Sequence, residues 1–241
     1  EAGVYSELVP WDSKPEQLNH LRIKGFVLSG GPASVYEADA PTLPSYVIAS
    51  QLPVLGICYG MQLLAHSLGG RVAPAAHREY GHAVITVSDV ESPLLRGLPT
   101  SMPVWMSHGD HVVELPQGFR SVAYSESSPV AVMADAAGHL GIQFHPEVVH
   151  TPAGQAMLQR FLHEVCECRP SWTMWSIIDT EIAKVRQQTA DLVKGIRNPF
   201  IEDIKQLRRL SDNLYRNRGE IDRALQVLPI KLNKVGGTAT Y

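Results

Sequence analysis

Three side chains in this sequence could together cleave an amide bond. They are Cys58, in Gly-Ile-Cys-Tyr-Gly (56–60), and His145 and Glu147, in Gly-Ile-Gln-Phe-His-Pro-Glu-Val (141–148). A thiol nucleophile needs a base that takes its proton and returns it to the leaving group. That imidazole in turn needs a carboxylate to set its tautomer and orientation. A strand pattern, Pro-Val-Leu-Gly-Ile, runs into Cys58, and a helix pattern, Met-Gln-Leu-Leu-Ala, runs out of it. Glycines two residues before and after, Gly56 and Gly60, would let such an elbow close with the central side chain facing a cleft. The positive end of the following helix would favour a thiolate and an oxyanion. The pentapeptide alone equally fits a buried core thiol, since cysteine is among the most buried residue types. His-Pro-Glu at a strand end equally fits a surface turn. Ten histidines make a lone one uninformative, and His66, eight residues past Cys58, reads as packed along its helix.

The elements that would carry these residues alternate between strand and helix in the first 70 positions. Residues 5–12 read as a short strand ending at Pro10, and Ser-Lys-Pro-Glu-Gln-Leu-Asn-His-Leu (13–21) as a helix or turn. Residues 23–32 read as a strand with a glycine turn, 43–51 as a helix, and 53–60 as a buried strand. A helix stopped by Gly69-Gly70 follows. Alternation of this kind predicts an α/β fold, an open and mostly parallel sheet with flanking helices. From 71 to 145 the texture changes to short, closely spaced strands, and 151–167 reads as an amphipathic helix with Met157, Leu158, Phe161, Leu162 and Val165 on one face. Residues 171–188 predict a connecting helix. A helical tail, 189–241, is expected to break near Asn198-Pro199 and Gly219. Its seam of Leu207, Leu214, Ile221 and Leu228, with Leu210 and Ala224 between, would suit a helix-mediated oligomer.

Composition narrows the class. The chain has 241 residues, 44% hydrophobic and 19% charged, with a net charge of −3, so there is no general case for nucleic acid or an anionic membrane as partner. The charge is uneven, −7 over residues 1–188 and +4 over 189–241, which marks the tail as a different kind of segment. Three cysteines make no disulfide framework and fit a reducing, cytoplasmic setting; Cys166 and Cys168 read as structural. No run approaches the roughly 18–20 apolar residues of a membrane span. The first residues lack a secretion signal's basic-then-apolar profile, and the chain begins without methionine, as a fragment or processed product would.

Gly-Ile-Cys-Tyr-Gly-Met-Gln-Leu-Leu-Ala-His-Ser-Leu-Gly-Gly and Gly-Ile-Gln-Phe-His-Pro-Glu-Val-Val-His-Thr resemble the class I (triad) glutamine amidotransferases. Leu-Ser-Gly-Gly-Pro-Ala-Ser-Val-Tyr-Glu, Arg-Glu-Tyr-Gly and Trp-Met-Ser-His-Gly-Asp narrow the resemblance to the glutaminase domains of GMP synthetases, in order from residue 1 to about 188. The resemblance implies that Cys58 attacks the glutamine side-chain amide, His145 carries the proton to the departing ammonia, and Glu147 orients His145. It implies an oxyanion hole from the backbone N–H of Tyr59 with one from Gly30 or Gly31. Gln62 and the backbone of Ser107, His108, Gly109 and Asp110 would hold the glutamine. The expected partner is an ATP pyrophosphatase (synthetase), present as a domain or as a separate subunit. That partner would hold ATP and Mg2+, with no cofactor or metal in this chain. Leu-Ser-Gly-Gly-Pro-Ala-Ser superficially matches a pyrophosphatase phosphate loop, but Pro-Ala stands where that loop has Val-Asp. Arg-Glu-Tyr-Gly (78–81) is left with two readings, a contact to the synthetase or a solvated turn.

The chain departs from that family at both ends. The family's first strand is absent ahead of Glu1, which would expose apolar sheet edges and remove part of the substrate site. No pyrophosphatase domain follows. Residues 189–241 instead resemble the helical C-terminal part of Mce (mammalian cell entry) proteins, envelope lipid-transport components of actinobacteria. The implied organisation is an amidotransferase domain over 1–170, a connecting helix over 171–188 and a helical tail over 189–241. An alternative is a catalytically impaired amidotransferase-like module whose tail mediates assembly. A further one is a cysteine hydrolase acting on another amide, such as a γ-glutamyl peptide.

Overall fold

The structure, a computed structural model, describes residues 2–172, 174–221 and 223. The chain divides into two compact units, residues 1–173 and 174–241. The first unit is built on one seven-stranded sheet. Its strands are β1 (Phe26–Leu28), β2 (Val54–Ile57), β3 (Arg71–Val87), β4 (Ser101–Glu114), β5 (Arg120–Tyr124), β6 (Val132–Ala134) and β7 (His139–Ile142). Its helices are α1 (Ser45–Ala49), α2 (Tyr59–Ser67) and α3 (Gly154–Arg160), the last followed by a π-helical turn, Phe161–Val165.

The strand order is β1-β2-β7-β6-β5-β3-β4. β2 pairs in parallel with both β1 and β7, and the other four pairings are antiparallel. The α/β class therefore holds, while the expectation of a mostly parallel sheet applies only to the first part. The reason is the connections. Parallel neighbours need long crossovers, and the closely spaced strands of 71–145 are joined by short turns that favour antiparallel pairing. β2 is buried along its whole length, which is why it reads as an unbroken apolar run rather than an alternating one. β4 alternates exposed and buried residues over its first half, as a strand with one solvated face should.

Two apolar clusters fill the two faces of the sheet. Leu55, Ile85, Leu140, Ile142 and Phe144 pack with Phe161 in one. Val54, Met61, Leu64, Val72, Val112 and Met133 form the other. Successive strand residues point to opposite faces, so Val54 and Leu55 serve different clusters. Each such side chain contributes about 1.5–3 kcal/mol on burial. α2 is covered almost throughout and stops at Gly69, whose φ of 92° is the left-handed end of a helix.

Other elements differ from expectation. Residues 5–9 form no strand; Leu8 is 93% exposed, the Tyr5 ring meets Trp172 edge-on and the Glu7 carboxylate meets His20. β1 and β4 are the two edge strands. Within 71–145, where short strands were expected, residues Ser101–Glu114 form one long strand, β4. Paired with β3, it makes a long hairpin in which residues 75–78 bulge opposite Gly109, between the pairs Pro74–Asp110 and Glu79–His108.

Of the second unit the structure describes chiefly one helix, α4 (Met174–Arg216). It runs without a break across residue 188 and through Asn198-Pro199, where an interruption was expected. A single proline costs a helix about 3 kcal/mol, and long flanks of good helix formers offset it. The interruption falls instead at Asn217, after which residues 218–221 are helical again, Gly219 included. Leu207, Leu210, Leu214 and Ile221 all keep substantial exposure. The seam positions Ala224 and Leu228 lie outside the described residues. No helix among the described residues is long and apolar enough to cross a membrane.

Candidate active site

Cys58 occupies the single residue between β2 and α2, at φ 52° and ψ −110°. A non-glycine residue held there stores about 1–3 kcal/mol of backbone strain. The elbow closes only because its flanks lack side chains. A Cβ on Gly56 would lie 2.5 Å from the Gly60 carbonyl oxygen, and one on Gly60 would collide with the Leu28 carbonyl. The Cys58 N–H donates to Ile142 O at 2.8 Å, which ties the elbow to β7 three residues before His145. The Cys58 carbonyl accepts from Met61 and Gln62 as the first turn of α2 begins. The N–H groups of Tyr59 and Gly60, ahead of those two, have no carbonyl one turn back within the helix to bond. The thiol is itself largely covered, with Sγ 3.5 Å from Ser107 O.

His145 is placed by Phe144, fully buried just before it, and by two contacts to its backbone. Its N–H donates to Trp105 O at 2.9 Å. The Thr151 hydroxyl donates to His145 O at 2.6 Å while accepting from the Trp105 N–H at 3.1 Å, so one buried threonine clamps the end of β7 to β4. His145 Nδ1 meets Glu147 Oε1 at 2.7 Å. A carboxylate only accepts, so Nδ1 carries the proton and Nε2 is left for the thiol. Its pKa is raised to about 9. Hydrogen bonding to Cys58 is the largest cause, burial opposes it, and Glu147 adds to it. Gly30 closes the other side. A Cβ there would come within 3.2 Å of His145 Cε1 and 3.7 Å of Cys58 Cβ. Gly31 lies against the Tyr59 ring, whose hydroxyl is anchored on Pro41 O at 2.7 Å.

The structure therefore brings together Cys58, His145, Glu147, Gly30 and Ser107. The remaining expected contacts are arranged differently from one another. The Asp110 carboxylate accepts from Ser34 Oγ and Tyr36 OH, which pins the loop after β1 to β4. The Asp110 carbonyl accepts from Gln62 Nε2 at 2.8 Å and from His108 Nδ1 at 3.0 Å. Gln62, expected on the substrate, is thus buried and gives its amide nitrogen to protein acceptors, Asp110 O and Gln143 Oε1. The reason is local, since its position on the inward face of α2 points it under the 107–110 segment rather than across it. His108 also turns inward. Its Nε2 lies 3.2 Å from Glu79 Oε2, and burial pulls its pKa below the ordinary histidine range against the opposing pull of that carboxylate. Gly109 is covered by the Arg78 side chain.

Of the two readings of Arg-Glu-Tyr-Gly, a solvated turn fits Glu79 poorly. Its carboxylate faces His108 and accepts from Ser125 Oγ, while Tyr80 is exposed. Two residues of the site, Gln143 and Thr151, do not stand out in the sequence as candidates, whereas Glu79 belongs to the Arg-Glu-Tyr-Gly segment already singled out there. Gln143 leaves one signal, a polar residue inside an apolar strand run. Thr151 acts on Trp105, 46 positions distant in the chain, and leaves none.

The family model described as glutamine amidotransferase class-I matches residues 1–165. The glutamine-hydrolysing GMP synthase of Thermomicrobium roseum is 57% identical over 190 residues, 78% of this chain and 35% of that protein. The same enzyme of Dehalococcoides mccartyi is 51% identical over 191 residues, 79% of this chain and 36% of that protein. The chain thus spans about a third of the length of the curated relatives it matches. A solved structure from Thermoplasma acidophilum, assigned to one subunit of GMP synthase, aligns with a TM-score of 0.56 at 29% identity, over 67% of this chain and 80% of that one. A glutamine amidotransferase of Thermotoga maritima aligns with a TM-score of 0.51 at 21% identity, over 58% and 78%, a likeness of fold.

Proposed function

The chain belongs to the class-I glutamine amidotransferase family, and from that premise we propose that it hydrolyses glutamine to glutamate and ammonia and supplies the ammonia to a GMP-forming synthetase. The Cys58 sulfur attacks the side-chain amide carbon of glutamine. The carbonyl oxygen becomes an oxyanion, held by the backbone N–H of Tyr59 and one from Gly30 or Gly31. His145, protonated through Nε2, gives its proton to the amide nitrogen, and ammonia leaves behind a glutamyl thioester. A water then loses its proton to His145 and attacks the thioester carbon, releasing glutamate and the Cys58 thiolate. Glu147 keeps the imidazole in the tautomer and orientation that both steps use. The 107–110 segment borders the sulfur and would line the glutamine site, with Gln62 supporting it from below.

One observation carries this reading above the others: a strained cysteine paired with a histidine whose pKa rises to about 9, with a carboxylate 2.7 Å behind it. A buried structural thiol needs none of these. On this reading the synthetase is an ATP pyrophosphatase domain or subunit that holds ATP and Mg2+ and adenylylates xanthosine monophosphate. The chain's span of about a third of its GMP synthase relatives supports a separate synthetase portion.

The test is reconstitution. The 241-residue chain is mixed with xanthosine monophosphate, ATP, Mg2+ and glutamine, with and without an added GMP-synthetase pyrophosphatase domain. GMP is expected only with the added domain, and none from glutamine when Cys58→Ala replaces the wild-type chain. GMP made by the chain alone, or undiminished glutamate release by Cys58→Ala, would overturn the proposal.

A further inference from the structure

The Cys58 sulfur has a neighbour that takes no part in the chemistry above, the amide of Gln143. Its Nε2 lies 3.9 Å from Sγ, within reach of an N–H···S hydrogen bond, and the residue is wholly buried between Ile142 and Phe144, which are themselves fully covered. Its Oε1 meets Gln62 Nε2 at 3.3 Å.

Which way each amide points follows from what it meets. A backbone carbonyl only accepts, so the end of Gln62 that lies 2.8 Å from Asp110 O is the NH2 end. The second proton of that NH2 goes to Gln143, whose facing atom is therefore its carbonyl oxygen. The NH2 of Gln143 is left facing the sulfur. Asp110 O also accepts from His108 Nδ1, and His108 Nε2 faces the Glu79 carboxylate at 3.2 Å. From β7, α2 and β4 the line runs Cys58, Gln143, Gln62, Asp110 O, His108, Glu79, and the side chains of Gln143, Gln62 and His108 belong to residues 0%, 3% and 4% exposed.

A leucine or methionine would fill the same volume without a polar group to satisfy, and a buried amide is stabilising only when its hydrogen bonds are made. What the amide adds is a donor aimed at sulfur. A donor favours the anion over the neutral thiol, because hydrogen bonds to charged acceptors are the stronger ones. The other groups facing the sulfur are the Ser107 carbonyl, which only accepts, and His145 with Glu147 behind it. Glu79 and His108 are the remaining titratable groups on the line, set back from the sulfur by the two amides.

We propose that Gln143 is a further catalytic residue, whose amide N–H holds the Cys58 thiolate before attack and receives it again when the thioester breaks, with Gln62 locking the amide in that orientation. No bond to Gln143 forms or breaks, and the thiol proton still passes to His145. The proposal rests on Cys58 being the nucleophile.

The test uses the full chain and iodoacetamide, with alkylation of Cys58 followed by peptide mass. Gln143→Met keeps the length and removes the donor. Its alkylation at about pH 7 is expected to slow about tenfold, the value of one hydrogen bond to a charged group. At about pH 10, where an ordinary thiol is already ionised, the rates converge. For glutamine hydrolysis kcat falls by a similar factor while KM stays within twofold. Gln143→Glu, near in shape, puts a carboxylate toward the sulfur and is expected to slow pH 7 alkylation further; it answers the question if the methionine variant does not fold. Gln62→Met gives a smaller loss of the same kind. Wild-type alkylation in Gln143→Glu, a loss in Gln143→Met equal at both pH values, or a change confined to KM would overturn the proposal. Cys58→Ala separates the two readings: activity retained there sinks the nucleophile itself, whereas activity lost there with Gln143→Met unimpaired sinks only the role of Gln143.

Discussion

His145 Nδ1 donates to Glu147 Oε1 at 2.7 Å across the single residue Pro146. The proline fixes its own φ, so the carboxylate two residues on is presented to the ring that precedes it with little freedom to leave. The ring is thereby held with its remaining nitrogen toward Cys58.

Glu147→Gln tests that relationship. Glu147 raises the pKa of His145, so removing its charge lowers it. Hydrolysis needs the His145 proton for the departing ammonia, and activity should fall as pH climbs through about 9 in the wild-type chain. In Glu147→Gln that basic limb moves to lower pH, and kcat falls about tenfold to a hundredfold. A pH–rate profile with an unmoved basic limb would contradict the assignment.

The Cys58 side chain is the largest cause of the raised His145 value. A proton-detected titration of the His145 ring should therefore give a midpoint of about 9 in the wild-type chain and a lower one in Cys58→Ala. The same shift bears on stability. A histidine raised above its unfolded value of about 6.5 contributes fully below that pH, and the contribution is lost as pH rises to about 9. Chemical denaturation across that window should show wild-type stability falling relative to Cys58→Ala. A flat difference would mean that the pair is not formed.

Gly30→Ala separates catalysis from folding. A Cβ there would press on His145 Cε1 at 3.2 Å, yet the backbone of Gly30 is not in the left-handed region. Glutamine hydrolysis is expected to drop by about a hundredfold, the scale of a disturbed oxyanion donor, with the thermal midpoint nearly unchanged. Unimpaired hydrolysis would remove Gly30 from the site.

Gly60→Ala should do the opposite and act first on stability. Its Cβ would meet the Leu28 carbonyl, a backbone atom of the neighbouring strand that cannot turn aside. Overpacking of this kind costs about 1–3 kcal/mol, visible as a lower denaturation midpoint. A variant as stable as the wild type would show that the elbow is not packed against β1.

Cys58, His145 and Glu147 are legible in the sequence as local patterns, each of which alone also fits a structural reading, and the family motifs are what join them. Glycines at 56 and 60 announce the elbow, and His145 and Glu147 sit two residues apart at a strand end. The residues that hold the triad are set by cross-strand register, which no local pattern encodes. Thr151 matters because Trp105 lies beside it, and Glu79 because a bulge over 75–78 restores it opposite His108. The family resemblance places Gln62 on the substrate, and the helix that carries it is plain in the sequence while the face it occupies is not. The N-terminal segment around Leu8 has strand-forming residues and yet forms no strand, because β propensity alone does not make one.

The central claim, that Cys58 is the nucleophile, is tested most directly by labelling the chain with the glutamine-analogue electrophile diazo-oxo-norleucine and locating the adduct by peptide mass. Cys166 is a poor competitor, since burial, with Cys168 beside it, pushes its thiol up to about 12. The expected result is one adduct, on Cys58, blocked by excess glutamine and abolished in Cys58→Ala. Label on Cys166 or Cys168 with Cys58 unmodified would contradict the account.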